Sequence, residues 1–347
     1  MRYTRVFLEA IGYELAPVVV TSSEIETQLK EVYQQLYIPQ GQLEALTGII
    51  ERRWWEPGFR LSDGAIAAAR KALAQSTVLP RDLEVLIYAG VCRESFEPAT
   101  ACRVADVVGV SPSAAVYDIS NACLGVLNGI LDIANRIELG QIRAGMVVSC
   151  ESARDIMTTT IERMLEMKDM ESFKLSLATL TGGSGAVAVL LTNGSFPNER
   201  HRRLVGGVTQ TAPQFHDLCW WGIDNDPNTP WWQVMRTDSV GVLENGVVLG
   251  KRTWQAFLQE LDWEADQVDK VICHQVGSAH QNTILRTLRI PEDKDFSTYP
   301  YLGNIGTVSL PLTAGLAEER EFLEPGNRVS FLGIGSGLNC LMLGWEW

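Results

Sequence analysis

The segment that decides the fold is Val116-Tyr-Asp-Ile-Ser-Asn-Ala-Cys123. Its first half has the pattern of a short β-strand, and after Cys123 apolar side chains recur at helical spacing as far as Gly140. The recurring residues are Leu124, Leu127, Leu131 and Ala134. A strand that passes into a helix within a few residues is typical of α/β proteins. We therefore predict an α/β fold, with Cys123 in the first turn of this helix.

Cys123 has the position of a nucleophile at this junction. Free backbone N–H groups and the positive end of the helix dipole stabilise an anion at a helix N-terminus, so we expect a lowered thiol pKa. A thiol that only packs between strand and helix is the alternative. The side chains that meet Cys123 decide between the two.

The pattern of helix and strand occurs twice along the chain. A helix at 62–74, capped by Ser62 or Asp63, precedes a strand at 83–89, much as a helix at 247–261 precedes a strand at 268–273. Further matched features are Asn121 and Asn304 at two helix starts, and the glycine-rich segments 181–190 and 333–342. Chance similarity of α/β units is the alternative, but three matched features favour duplication.

The duplication predicts two similar halves, residues 1–195 and 196–347. Their boundary falls in the polar, turn-rich segment 193–203, and the first half is enlarged around 151–178. Residues 212–246, which include Trp231 and Trp232, show no regular pattern.

Composition narrows the function classes. The chain has 347 residues, of which 46% are hydrophobic and 20% charged, as in ordinary globular proteins. Its 42 acidic and 29 basic side chains give a net charge of −13, which argues against a nucleic-acid partner. Its apolar runs are far shorter than the ~18 residues of a membrane span, so we expect a cytoplasmic protein.

Cysteine and histidine counts bear on cofactors. The seven cysteines form no close C-x-x-C pair, and there are only four histidines. Zinc sites and redox motifs use close pairs, so we expect neither a metal nor a redox cofactor. We interpret most of the cysteines as buried thiols.

Three further segments could complete a site around Cys123. His274-Gln275 follows the strand at 268–273, and Asn304 opens the matching helix of the second half. If the halves are related by a pseudo-two-fold axis, both meet Cys123, where their donors could hold a thioester enolate. Ser336, between Gly335 and Gly337, could offer a backbone N–H to an oxyanion. A structural histidine, a capping asparagine and an ordinary glycine bend are the alternatives.

Jointly these motifs resemble the β-ketoacyl synthase III group of the thiolase superfamily over essentially the whole chain. The matching segments are Thr47-Gly-Ile-Ile-Glu-Arg-Arg53, Asp118-Ile-Ser-Asn-Ala-Cys123, His274-Gln275, Gly303-Asn304 and Leu332-Gly-Ile-Gly-Ser-Gly337. The resemblance implies a five-layered αβαβα dimer, acylation of Cys123, and stabilisation of the enolate by His274 and Asn304. The chain departs from the group after Gln275, where Val276-Gly-Ser-Ala-His280 replaces Ala-Asn and an arginine.

Glu97 is the second departure from the ordinary synthases. Its placement, 26 residues before Cys123, is similar to that of a glutamate in the head-to-head condensing synthases of bacterial olefin and β-lactone pathways. Malonyl donors form their carbanion by losing CO₂, whereas a plain acyl-CoA must lose an α-proton to a base. A buried carboxylate with a raised pKa suits that task, and the resemblance implies delivery from the neighbouring subunit. Plain surface charge is the alternative.

Two sets of residues are candidates for substrate binding. Arg52, Arg53 and Trp54 offer cationic and aromatic groups near where the group binds the CoA nucleotide. Met157 and Met164 could line an acyl channel. Structural roles are equally open for both sets.

The combined prediction is a homodimeric acyltransferase. It joins two fatty acyl-CoAs by Claisen condensation through a cysteinyl thioester and yields a 2-alkyl-3-ketoacyl product, hydrolysed to a β-keto acid. One alternative is a decarboxylating β-ketoacyl synthase III that uses a malonyl thioester. The other is a thiolase-fold protein that binds or transfers acyl groups without condensation. Acyl carrier protein remains open as a donor in place of CoA.

Overall fold

The computed structural model describes residues 1–197, 201–224 and 233–347. Residues 198–200 of the predicted boundary segment lie outside the described residues, as do Trp231 and Trp232. The strands are β1 (Phe7–Leu15), β2 (Val18–Thr21), β3 (Glu51–Trp54), β4 (Val85–Ala89), β5 (Ala115–Ile119), β6 (Ala144–Glu151), β7 (Gly185–Thr192), β8 (Arg203–Thr211), β9 (Cys219–Ile223), β10 (Gln233–Thr237), β11 (Lys270–Cys273), β12 (Arg328–Gly335) and β13 (Asn339–Glu346). The helices are α1 (Ser22–Gln28), α2 (Lys30–Gln35), α3 (Gln42–Thr47), α4 (Leu61–Ala74), α5 (Thr100–Val108), α6 (Gly125–Glu138), α7 (Arg154–Met167), α8 (Met170–Ser176), α9 (Ser239–Leu261), α10 (Ser278–Leu288), α11 (Tyr299–Leu302) and α12 (Ser309–Glu319).

A mixed sheet runs through the molecule. Among the described residues, nine strands pair in the order β11-β12-β13-β8-β1-β7-β6-β4-β5. Strands β1 and β8 meet at a single pair, Phe7 with Arg203, so the sheet divides there into two halves.

The two sheet halves have the same strand order and directions. In the first, β1, β7 and β6 are antiparallel neighbours, and β6, β4 and β5 are parallel. In the second, β8, β13 and β12 are antiparallel, β12 and β11 are parallel, and a parallel bridge joins Val271 to Asp295. This correspondence supports duplication, and the division at residue 195 stays a prediction.

Helices cover both halves of the sheet in layers. Helices α6 and α12 share one buried cluster with residues of both sheet halves, and positions 309–317 of α12 are all buried. Helices α4 and α5 pack on the outer side of the first half, and α9 and α10 on the outer side of the second. The predicted five-layered αβαβα arrangement is confirmed.

In the described part of the chain, no helix is long and apolar enough to cross a membrane.

Two helix starts differ from the prediction. Helix α9 begins at Ser239, eight residues before the predicted start, and Asp238 caps it by accepting the backbone N–H of Gly241 at 2.9 Å. Glycine has low helix propensity, so the glycines at 241 and 246 obscured this part of the helix in the sequence. Helix α4 has Arg60 at its N-cap instead of Ser62 or Asp63.

Candidate active site

Cys123 lies in the turn between β5 and α6. This turn is closed by backbone hydrogen bonds from Leu124 to Asn121 at 2.9 Å and from Gly125 to Ala122 at 3.3 Å. Ala122 has a left-handed φ of +45°, which is uncommon for a residue with a side chain. Because α6 begins only at Gly125, Cys123 precedes the helix. The prediction that Cys123 lies in the first turn of the helix is therefore wrong.

The expectation of a lowered thiol pKa is wrong for Cys123. Burial is the main cause that raises its pKa to about 12, and the nearby groups Cys219 and Glu151 add to it. Desolvation disfavours the thiolate, and the helix dipole acts only within the first turn of a helix. The resting nucleophile is therefore a protonated thiol.

His274 follows β11 directly. Its backbone N–H donates to the carbonyl of Leu332 at 3.0 Å, which continues the pairing with β12. The ring is buried, and neither ring nitrogen has a hydrogen-bond partner among the residues that the structure describes. Burial lowers the pKa of His274 to about 4, with a smaller effect of His280. A neutral imidazole still carries one N–H group, which can donate a hydrogen bond to an enolate oxygen.

Asn304 is held by the first half of the chain. Its backbone N–H donates to the carbonyl of Thr181 at 2.9 Å, and its own carbonyl accepts from Gly183 at 2.9 Å. Its side-chain Oδ1 accepts the backbone N–H of Gly306 at 3.0 Å. This contact orients the amide, and within the described residues its nitrogen donates to no other group, so Nδ2 is a donor available to a ligand.

An amide network ties the loop after β12 to the nucleophile turn. Asn339 Nδ2 donates to the carbonyl of Ser336 at 3.1 Å and to Oδ1 of Asn121 at 3.2 Å. Asn121 in turn donates to Asn128 Oδ1 at 2.8 Å. A Cβ added at Gly335 would lie 3.4 Å from the backbone nitrogen of Cys123. The loop thus packs closely against the turn that carries the thiol.

One cavity of about 460 Å³ joins these groups. Cys123, His274, Asn304, Gly335 and Ser336 all line it, whereas Gly337 is not part of its lining. Its described lining is mostly apolar and contains no lysine or arginine. The structure therefore brings together the thiol, imidazole, amide and glycine loop that the sequence singled out.

Glu97 lies outside this cavity. It is exposed, in the loop between β4 and α5, next to Phe96, whose side chain is 85% exposed. Glu94 in the same loop accepts hydrogen bonds from the backbone N–H and the hydroxyl of Ser62 at 2.8 and 2.6 Å. Glu94 is thus an anchor of the loop, and within one chain Glu97 does not reach the thiol's cavity.

Comparison with known proteins gives the family. The chain is 59% identical to an acyl-CoA:acyl-CoA alkyltransferase of Shewanella oneidensis, with 100% of both chains covered. The chain belongs to the acyl-CoA:acyl-CoA alkyltransferase family. A second alkyltransferase, from Xanthomonas campestris, is 33% identical, again over 100% of both chains. Residues 258–347 also match the family of 3-oxoacyl-[acyl-carrier-protein (ACP)] synthase III C-terminal domains.

Solved structures agree with this family. A cysteine-to-alanine variant of OleA from Xanthomonas campestris matches with a TM-score of 0.94 at 33% identity, covering 100% of this chain and 98% of that chain. A cysteine-to-serine variant of that OleA, with bound lauric acid and lauroyl-CoA, matches with a TM-score of 0.93, covering 99% of this chain and 100% of that chain. The thiolase fold is therefore shared with these enzymes.

The predicted nucleotide-binding residues of this family member are largely buried. Arg52 is fully buried and donates to Ser22 Oγ at 3.0 Å and to the carbonyl of Leu180 at 3.1 Å. Trp54 is 8% exposed and stacks with Arg154, and Arg53 is half-buried near Glu51. Arg52 and Trp54 cannot meet a nucleotide from these positions, because strand β3 turns both inward. Arg52 and Trp54 therefore belong to the core and not to a nucleotide-binding surface.

Met157 and Met164 are also placed in the core. Both are at most 1% exposed and belong to one buried cluster with residues of α1, α2 and β2. Neither is part of the cavity lining. Helix α7 turns Ile156 to the cavity instead, so the channel interpretation of the two methionines does not agree with the structure.

Several lining residues were not found from the sequence. Glu151 ends β6, lines the cavity, and accepts the backbone N–H groups of Val91 and Cys92 at 3.0 and 3.1 Å. Burial raises the pKa of this carboxyl. Cys219 in β9 and His280 in α10 line the same cavity. The one available signal for Glu151 was a charged residue directly after an apolar strand.

Proposed function

We propose that this protein is an acyltransferase that condenses two fatty acyl-CoAs through a thioester on Cys123. The observation that carries the proposal is that Cys123, His274, Asn304 and Ser336 line one and the same cavity. The names of the two alkyltransferase relatives support the same activity. The product is a 2-alkyl-3-ketoacyl-CoA, which hydrolysis converts to a β-keto acid.

The first stage is acyl transfer to the thiol. Cys123 attacks the thioester carbonyl of the first acyl-CoA, and its proton passes by way of His274 to the departing CoA thiolate. The backbone N–H groups of Cys123 and Ser336 hold the developing oxyanion. The stage ends with acylated Cys123 and free CoA.

The second stage forms the carbon–carbon bond. A base removes the α-proton of a second acyl-CoA, and donors from His274 and Asn304 stabilise the enolate oxygen. The carbanion attacks the Cys123 thioester, whose sulfur leaves and regains its proton. This route uses no metal or redox cofactor.

We assign the base to Glu97 of a second copy of the chain in a homodimer. Its exposure beside Phe96 leaves it available to another subunit. In OleA from Xanthomonas campestris, variants were solved in which a glutamate or a cysteine is replaced, and the glutamate precedes the cysteine by 26 residues. Glu97 and Cys123 have the same separation. Glu151 is a poorer base because both of its oxygens accept backbone N–H groups.

Incubation with one acyl-CoA and no malonyl thioester tests the reaction. Product from acyl-CoA alone is expected, and strict dependence on a malonyl donor would instead establish a decarboxylating synthase. Glu97→Gln should stop condensation while Cys123 is still acylated, and turnover at the native rate would remove Glu97 as the base. The matched control is Glu56→Gln, because Glu56 is an exposed carboxylate outside the cavity lining.

Acyl binding without condensation remains the other alternative. Full activity of Cys123→Ala would exclude both synthase routes, since each needs the thioester.

We further propose that the protein acts in the cytoplasm, that residues 1–195 and 196–347 are its two duplicated halves, and that CoA carries the acyl groups. Intact-protein mass spectrometry with acyl-CoA and with acyl carrier protein as donors tests the last point.

A further inference from the structure

His280 is a polar group of the cavity that the proposed reaction does not use. It lies in the first turns of α10 and lines the same cavity as Cys123 and His274. Its Nε2 atom is buried and has no hydrogen-bond partner within the described chain. Buried polar atoms are almost always paired, so an unpaired ring nitrogen at a substrate cavity indicates a partner on the substrate.

The neighbouring side chain cannot take this role. Gln281 also lines the cavity, but its Nε2 donates to Asp295 Oδ2 at 2.6 Å and its Oε1 accepts from the hydroxyl of Tyr299 at 2.7 Å. Gln281 is therefore fixed within the protein. The unpaired polar group that α10 presents to the cavity is His280.

A neighbouring part of the cavity wall is supplied by α9. The α9 residues that line the cavity are Ser239, Val242, Leu243, Gly246, Val247 and Gly250. Gly246 and Gly250 are one helical turn apart, and a Cβ at Gly250 would lie 3.0 Å from Ile284, one turn after His280. A ligand in the cavity therefore meets, along these two helices, a mainly apolar surface that contains an imidazole.

The chemistry of this wall selects one part of an acyl-CoA. An acyl chain has no polar atom to pair with the imidazole. The phosphates and nucleotide require cations, and the described lining has no lysine or arginine. Burial lowers the pKa of His280 to about 4, so its ring is neutral, with one donor and one acceptor. The secondary amides of the pantetheine arm are neutral and offer the same pair of functions.

We propose that His280 binds an amide of the pantetheine arm and so positions the thioester at Cys123. The inference rests on the proposed function, because it takes the arm from the acyl donor of that reaction. His280 is a specificity residue here and takes no part in bond making. Pantetheine is common to CoA and to carrier protein, so either donor could supply the arm.

The test compares donors with and without the arm. Cys123 acylation is followed by intact-protein mass spectrometry with octanoyl-CoA, octanoyl-pantetheine and p-nitrophenyl octanoate, which has no amide. His280→Leu should lower kcat/KM about tenfold for both pantetheine donors, mainly through KM, as expected for loss of one hydrogen bond. With p-nitrophenyl octanoate, His280→Leu should have the same kcat/KM as the native protein. His280→Gln, which keeps a donor and an acceptor, should restore most of the loss.

The other outcomes are distinct. If His280→Leu loses kcat/KM equally with all three donors, His280 has a structural or catalytic role. If it loses kcat/KM with none of them, His280 does not contact the amide. Either result overturns this inference and leaves the proposed function standing. If the native protein takes an octanoyl group on Cys123 from none of the donors, the proposed function fails, and the inference with it. Octanoyl carrier protein, tested as a fourth donor in the same assay, shows whether the protein accepts the pantetheine arm from carrier protein as well as from CoA.

Discussion

Gly306 donates its backbone N–H to the side-chain Oδ1 of Asn304 at 3.0 Å. This contact orients the amide, because an occupied oxygen leaves only Nδ2 to meet an enolate in the cavity. Gly306 has a φ of +54°, a left-handed conformation that glycine adopts without strain. The short segment that follows α11 therefore sets the direction of a donor.

Asn304→Asp should abolish condensation selectively. The variant keeps the size and the contact with Gly306, but a carboxylate oxygen replaces the donor and repels the enolate. Loss of one oxyanion donor lowers a rate by about 10²–10³-fold, and at least that loss is expected in single-turnover condensation. Cys123 acylation should continue. Condensation at the native rate would show that the amide nitrogen does not serve the enolate.

The raised pKa of Cys123 predicts the pH profile of its alkylation. With a pKa of about 12, the thiolate fraction grows tenfold per pH unit, so the iodoacetamide rate should rise without a plateau between about pH 7 and 10. Peptide mapping compares Cys123 with the exposed Cys102 in the same sample. A plateau near neutral pH would instead indicate an activated thiolate in the resting protein.

Glu151→Gln should make Cys123 more reactive toward iodoacetamide. The Glu151 carboxylate is one of the charges that raise the thiol pKa, so its removal increases the thiolate fraction at a fixed alkaline pH. The expected result is faster alkylation, measured by mass spectrometry. Glu56→Gln is the control, because Glu56 is an exposed carboxylate outside the cavity lining. An unchanged rate in Glu151→Gln would contradict the coupling.

Mixed dimers test whether Glu97 acts across a subunit interface. Cys123→Ala and Glu97→Gln homodimers should each fail to condense. Random mixing of the two makes about half of the dimers mixed, each with one complete site, so about a quarter of the native activity should return. The measurement is the condensation rate after exchange of subunits. A mixture as inactive as its parents would place the base elsewhere.

Asn339→Asp should disturb the glycine loop. The aspartate cannot donate to the carbonyl of Ser336 or to Asn121, so the loop loses one hydrogen bond within itself and one hydrogen bond to the nucleophile turn. Cys123 acylation should slow by about tenfold, with a melting temperature lower by a few degrees, since each lost hydrogen bond contributes ~1 kcal/mol. Native acylation with a lowered melting temperature would make Asn339 a purely structural residue.

The sequence reached the site through local motifs. Cys123, His274, Asn304 and Ser336 each follow or open a strand or helix whose pattern is visible in the sequence. The duplicated order of those elements implied that they meet, and the cavity joins them. Arg52, Trp54 and Met157 show the limit, because the same composition suits a binding surface and a core, and only packing distinguishes them.

Local periodicity by itself determined the α/β class, the repeated succession of helices and strands, and the residues at each strand end, since these follow from neighbours along the chain. The tertiary structure decided the protonation of the thiol, because desolvation of Cys123 depends on residues distant in sequence. It also decided which polar groups face the cavity: Glu151 and His280 reach it only through the packing of separate segments. Burial and charge coupling are properties of the assembled interior, and a linear pattern does not contain them.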